Sequence, residues 1–443
     1  MSAPQPPLLA RILRAARVEQ LRASLWFVPA VAVAGAVVVA AFLSRVDVGD
    51  EGLLSRAAFP GGAESARAIL QTIAGSVITV TGVVFSLTVV TLQLASTQFS
   101  PRLLRTFLRD VSNQLVLAIF LATFAYCLVV LRGVSSGAGA EAGDVPRIAV
   151  TGAYVLGAAS VAALVFFIDH IARAIRIDSL MREVNEDTCE VIDALVDLHP
   201  GHDVALDVEP GPAIVPSPRS GFIQAVDERR IARAAAGVGA IVHVERPIGD
   251  RVIEDAPLAR VRILDGDLEV PRPLVDAIQR SVQIGYERTM QEDVAFGLRQ
   301  LVDVAVKALS PGVNDPTTAT HALGHLAHLL VRIARARLGD RTGYDDDRVA
   351  RVLIPGPSFG EYLDLALDQI RRYGAADAAV MTELLRVVLD VAVADSPGRH
   401  REEICEHMRL AVAAAERAAI DPSDLDEVYE LRARIEEVIA QAG

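Results

Sequence analysis

Lysine is all but missing from this chain: Lys307 stands alone among 43 basic residues in a sequence of 443. Against them stand 56 acids, for a formal charge of -13. A chain with that balance has no basic surplus with which to neutralise phosphates, so no nucleic-acid partner is expected. Cysteine is scarce as well. Cys127, Cys189 and Cys405 are widely spaced, which suits neither a disulfide framework nor a zinc knuckle and fits a reducing compartment. Also absent are GxxxxGK[ST], GxSxG, a strand-linked GxGxxG and HExxH. Enzyme chemistry therefore has no motif to attach to, and no catalytic residue, cofactor or resident metal is expected.

What the chain has in excess is aliphatic surface. Hydrophobic residues make up 52% of it and aromatics only 5%, with a mean hydropathy of +0.36. The excess is localised in four stretches, 25–43, 69–94, 115–131 and 148–168, each near the roughly 20 residues of helix that cross a hydrocarbon layer. Arg11, Arg14, Arg17 and Arg22 precede the first stretch in the manner of a signal peptide. Its apolar run is too long for one and further spans follow, so it reads as a retained anchor. Arg102, Arg105 and Arg109 follow the second span, and Arg173, Arg176 and Arg182 follow the fourth. Basic flanks favour the cytoplasm, and all three clusters lie inside only if both termini do. The expectation is a multi-pass protein of a bacterial plasma membrane with its bulk, beyond residue 169, in the cytoplasm.

The second span is the unusual one. In "SVITVTGVVFSLTVVTLQLASTQFSPRLLR" a hydroxyl or amide recurs on nearly every turn. Thr72, Thr79, Ser86 and Gln93 are spaced by seven, with Ser76 between the first two, so on a helix they form one slowly drifting stripe. Thr81 and Thr88 are expected to form a second stripe close beside it, and Gly82 is read as the one residue small enough for a tight helix crossing. Such a stripe serves either as a packing seam between helices or as the wall of a wet lumen. No acid or base lies within the span, which disfavours a proton relay. Beyond it, Ser100 and Pro101 open a helix with Arg102, Arg105 and Arg109 on one face and Leu103, Leu104, Phe107, Leu108 and Val111 on the other. That pattern suits the inner membrane surface, where the arginines could meet anionic lipid or simply anchor the chain.

The opening run of that span, together with "SGFIQAVDERRIARAA" and "FGLRQLVDVAVKALSPGVNDPTTA" in the expected order, resembles the bacterial predicted membrane protein family called domain of unknown function 2254. The resemblance covers nearly the whole chain. It implies an N-terminal membrane region and a large cytoplasmic region, and brings no activity or catalytic residues with it.

Past the spans, residues 170–200 have apolar positions at helical spacing and are expected to run as a connector helix out of the membrane. Residues 211–265 read as a small β-rich module, with Gly249 and Asp250 turning a hairpin, similar to the β-sandwich of biotinyl and lipoyl carriers but without their lysine. From 270 to 443 the pattern is helical. In "SPGVNDPTTA", Asp315 is a candidate N-cap and Pro316 a first helical residue. The helix start, with Asn314, Asp315 and the nearby Arg288, Arg299 and Lys307, is a candidate anion pocket. His321, His325 and His328 fall at i, i+4 and i+7. Two of them could hold a divalent metal with help from another element, but the interleaved leucines and the missing glutamate favour a solvated or intersubunit histidine face.

The fold class expected is mainly α, with a four-span transmembrane helical region followed by a cytoplasmic region of a small β-sandwich-like module and a helical domain. The expected function is a homo-oligomeric ion channel or pore, lined by Thr72, Ser76, Thr79, Ser86 and Gln93, whose partners are the lipid bilayer, its own copies and inorganic ions. The alternative is a membrane-anchored scaffold or sensor, and behind it a lipid-modifying enzyme.

Overall fold

The computed structural model describes residues 26–45, 59–98, 111–134, 145–174, 177–198, 209–264, 269–336, 338–395, 398–418 and 421–441. The chain divides into two compact units, residues 1–176 and 177–443.

The first unit is helical: α1 (Phe27–Leu43), α2 (Ala63–Gln98), α3 (Val111–Gly133) and α4 (Arg147–Ala174). α2, α3 and α4 are long and apolar enough to cross a membrane. α1 is equally apolar but has 17 residues, about 26 Å of helix against a hydrocarbon layer of about 30 Å. Its first expected residue, Leu25, lies outside the described residues. α3 is the hub, packing against each of the other three. Tyr126, Cys127 and Val130 of α3 meet Leu70 and Ala74 of α2 and Val150 and Ala153 of α4 in one core cluster. Val116 and Phe120 meet Val84 and Phe167 in another. Polar contacts tie α3 to α4: the Tyr126 hydroxyl donates to Ala149 O at 2.9 Å, and Thr123 Oγ1 lies 3.0 Å from Ser160 Oγ and 3.5 Å from Leu156 O. The outside of the unit carries many large apolar side chains. Val38, Phe42, Val83, Phe85, Val161 and Val165 are exposed by half or more, which water would penalise and a lipid solvent would not.

The second unit begins with α5 (Ile177–Leu198). The expected unbroken connector falls on residues 175–176, outside the described residues. After it come β1 (Ala213–Pro216), β2 (Gly221–Val226), α6 (Glu228–Ala236), β3 (Ala240–Val244), β4 (Arg251–Val252), β5 (Pro257–Ile263), α7 (Arg272–Ser281) and β6 (Val282–Gly285). The helices α8 (Val294–Ala308) and α9 (Pro316–Ala336) lead to the strands β7 (Arg341–Tyr344) and β8 (Ala350–Ile354). The chain then continues through α10 (Phe359–Tyr373), α11 (Ala378–Ala394), α12 (Arg401–Arg417) and α13 (Pro422–Gln441). Helices fill most of the 270–443 stretch, as its pattern predicts, interrupted by β6, β7 and β8.

The β region departs from expectation. Its strands form two sheets, β1-β5-β3-β8-β7 and β4-β2-β6. β3 pairs in parallel with β8, Val242 opposite Val352, so strands from inside the expected helical domain complete the larger sheet. The 211–265 and 270–443 regions thus share a sheet and a core, in which Val242 and Val261 pack with Val352 and Ile354. Gly249 and Asp250 do turn the chain, but between sheets: β3 lies in one and β4 in the other. The physical reason is burial. Every residue of β3 is buried, and a strand hidden on both faces requires neighbours along both edges.

Candidate functional site

The polar stripe of α2 has a definite direction. Leu70, Ala74, Val77, Thr81, Val84, Thr88 and Thr91 are buried, alternating steps of four and three, the spacing of a left-handed helix-packing seam. Thr72, Thr79 and Ser86 each lie two positions from a seam residue on both sides, about 200° of arc away. All of Thr72, Ser76, Thr79, Ser86 and Gln93 are exposed. The expected lining residues therefore share one face, and it points away from the other helices of the unit. Thr81 and Thr88 do not lie close beside it, as expected from the sequence; they belong to the packed seam, because two residues of α-helix carry a side chain to the opposite side.

Hydrogen bonding distinguishes these hydroxyls little. Thr72 donates to Ala68 O at 2.7 Å and Thr79 to Gly75 O at 2.8 Å. In the seam Thr81 donates to Val77 O at 2.7 Å and Thr88 to Val84 O at 2.9 Å. A threonine that returns its proton to its own helix is tolerated in hydrocarbon and still offers oxygen lone pairs outward. Gly82 has company not expected from the sequence. Gly75, seven residues earlier, lies on the same exposed face, and a methyl added to either would meet nothing within 4 Å. The face thus carries two glycines beside its polar residues, with Val83 and Val90 exposed among them.

Arg102, Arg105 and Arg109 lie outside the described residues. The five residues of the expected anion pocket are not brought together. Arg288 sits before the N-terminus of α8, where its Nε and Nη2 donate to the two carboxylate oxygens of Asp293 at 2.9 Å each. Lys307 is in the last turn of α8, about 20 Å further along the helix. Arg299 lies between them, 3.4 Å from Asp303. Only Asn314 and Asp315 join Lys307, at the α8–α9 turn, where Asn314 takes the left-handed conformation at φ 49°. The N-terminus of α9 already holds an anion of its own. Asp315 accepts from Thr318 N at 3.1 Å and from Thr318 Oγ1 at 2.6 Å, bonds that hold its carboxyl below the usual carboxylate range.

Asp293 is the most enclosed acid of this region, at 4% exposure. It caps α8 by accepting from Phe296 N at 3.0 Å. Burial pushes its carboxyl up, and the Arg288 guanidinium opposes that shift. The turn at Gly249 fits against this pair: φ there is +91°, and an added methyl would run into Asp293 Oδ2 and approach Arg288 Nη2 at 2.8 Å. The arrangement clamps the turn to the helical core.

Two histidine clusters also sort themselves. Asp364, Asp368 and His407 lie close enough to share a cation, but Arg371 and Arg372 pair with Asp368 at 2.9 and 2.7 Å. Guanidinium already occupies the positive role there. Of the α9 histidines, His321 and His328 are exposed, as the expected solvated face requires, and His325 is half-buried; the two exposed ones also meet α5 of the same chain. Asp178 Oδ1 is 3.2 Å from His321 Nδ1, and Asn185 Oδ1 is 2.8 Å from His328 Nδ1. Short spacing is the signal by which a sequence shows such partners, and α5 lies some 140 residues earlier.

Apolar helices around α3 with a lipid-compatible exterior define an integral membrane protein. The chain belongs to the predicted membrane protein family called domain of unknown function 2254, whose pattern spans residues 22–390. It is similar to an uncharacterized protein of Mycobacterium bovis, 38% identical over 437 residues, which covers 97% of this chain and 83% of the relative. An uncharacterized protein of Mycobacterium tuberculosis matches at the same identity and coverage. No solved structure matches the chain.

Proposed function

We propose that the protein is a homo-oligomeric ion channel in which α2 of each copy lines a shared axis through Thr72, Ser76, Thr79, Ser86 and Gln93. The observation that carries the reading is the direction of this stripe: the most polar face of a span is the face its own protomer leaves uncovered. Lipid is a poor neighbour for it, and the same face of a second copy is a good one. Repeated about an axis, the side chains would stack rings of oxygen along the span, allowing weak multi-site ion binding without a fixed charge. The arginine clusters orient the chain with both termini in the cytoplasm of a bacterial cell. α1 completes four spans, and the second unit serves assembly or gating.

A second reading is favoured by Gly75 and Gly82. On the same face they allow close helix approach, which would make the assembly a closed scaffold or sensor. Ion flux from liposomes holding the purified protein separates the two. The channel reading expects wild-type flux that Thr79→Leu or Ser86→Leu suppresses while the oligomer persists. An intact wild-type oligomer that passes neither cations nor anions across a range of voltage and pH overturns it in favour of the closed assembly.

A further inference from the structure

From Asp178 to Asp193 α5 lies beside α9, and their polar contacts advance in the same direction. Asp178 faces His321, Asn185 faces His328 and Asp193 pairs with Arg332, so the two helices run parallel. At the middle of this ladder three donor atoms of different kinds converge. Cys189 Sγ is 3.9 Å from His328 Nδ1 and 3.8 Å from Asn185 Oδ1. His328 Nδ1 is 2.8 Å from the same Oδ1. The amide of Asn185 is held in this orientation from its other end, where Nδ2 donates to His325 O at 2.9 Å.

We propose that Cys189, His328 and Asn185 form a site for a zinc-class divalent cation, with water in the fourth position. The geometry is close to what such an ion demands. Tetrahedral zinc with bonds of about 2.0–2.3 Å sets its ligand atoms roughly 3.3–3.7 Å apart, so the two edges to sulfur need to shorten slightly and the N–O edge to open by about half an ångström. A sulfur, an imidazole nitrogen and one amide oxygen make a borderline donor set that selects zinc, cobalt or copper over magnesium or calcium. The charges around the sulfur are Arg332, which Asp193 already pairs with, and the acids Asp193 and Glu186, on a helix that carries seven acids against one arginine. Access is open: His328 is exposed and Cys189 partly so. On binding, the Cys189 thiol releases its proton to solvent, and His328 keeps its remaining proton on Nε2. The ion would rivet the first helix of the second unit to α9.

Cobalt(II) titration of the full-length protein in detergent tests this. The expected result is one ion per chain, a thiolate-to-cobalt charge-transfer band in the near ultraviolet, and displacement of that band by zinc. Cys189→Ser should abolish the band, His328→Ala should weaken binding at least tenfold, and Cys405→Ser should leave both unchanged. Should Cys189→Ser fail to fold, zinc protection of Cys189 against alkylation in wild-type membranes, read by mass spectrometry, tests the same ligand without a variant. Absence of the band in the wild type, a band that survives Cys189→Ser, or alkylation of Cys189 at the same rate with and without zinc overturns the proposal and leaves the three side chains as a hydrogen-bonded contact.

Discussion

Gly297 of α8 packs directly against Thr188 of α5, and replacing it with alanine tests that packing. The added methyl would collide with Thr188 Oγ1 and come within 2.8 Å of its Cγ2 and 2.9 Å of its Cβ. Carbon atoms in ordinary contact stay about 3.5–4.0 Å apart. Thr188 cannot simply swing aside, since it is fully buried and its hydroxyl donates to Val184 O at 2.6 Å. Stranding that hydroxyl costs about 1–3 kcal/mol, and pushing α5 back instead costs a similar ~1–3 kcal/mol of overpacking. Alanine returns at most about 1 kcal/mol of helix propensity. The net expectation for Gly297→Ala is a destabilisation of roughly 1–2 kcal/mol, taking the middle of these ranges. Gly324→Ala on α9, where nothing lies within 4 Å of the added methyl, isolates the propensity term and should stabilise. Denaturant unfolding in detergent, with hydrogen exchange on α5, reads both variants. If Gly297→Ala stabilises as much as Gly324→Ala does, α5 does not dock as described.

Gly249→Ala, which forces a methyl into the buried Asp293–Arg288 pair at a φ that disfavours side chains, should cost about 3–5 kcal/mol if the pair breaks. Asp315→Ala should cost about 1 kcal/mol through loss of the α9 cap, visible as faster exchange in the first turn of that helix. The pH dependence of stability follows from His243, His325 and His407, whose imidazoles burial pushes below their ordinary value of 6.5. The folded chain binds fewer protons there than the unfolded one, so stability should be flat above pH 6.5 and fall as the pH drops below it. His407→Gln should flatten that fall in a melting-temperature series.

Legibility in the sequence divided along physical lines. Helices were readable because their signals are local. Residues 359–373 carry their own start, a Ser358–Glu361 capping box, and their apolar face has period 3.6. Strands β7 and β8 were not, because each has four or five residues; they pair with each other as a hairpin, but the strand that joins them to the larger sheet is β3, about 110 residues away. The stripe of α2 was visible as a spacing of seven. Its direction became clear only from which residues of the same helix were buried. The separation of Arg288 from Lys307 needed no tertiary knowledge at all: Arg288 precedes a 15-residue helix and Lys307 lies in its last turn. The partners of His321 and His328 were beyond reach, since they come from a helix 143 positions earlier.

The central claim is that the Thr72–Gln93 face of one copy meets the same face of another. Disulfide cross-linking in native membranes tests it directly, using single cysteines placed at Thr79, Ser86, Val77 or Val84 in a chain whose own three cysteines are replaced by serine. The account predicts rapid cross-linked dimers from Thr79→Cys and Ser86→Cys, and none from Val77→Cys or Val84→Cys, which face the interior of their own protomer. Cross-linking from no position on the stripe, with the protein folded and present at native level, would mean that the stripe faces lipid and would contradict both the channel and the assembly it requires.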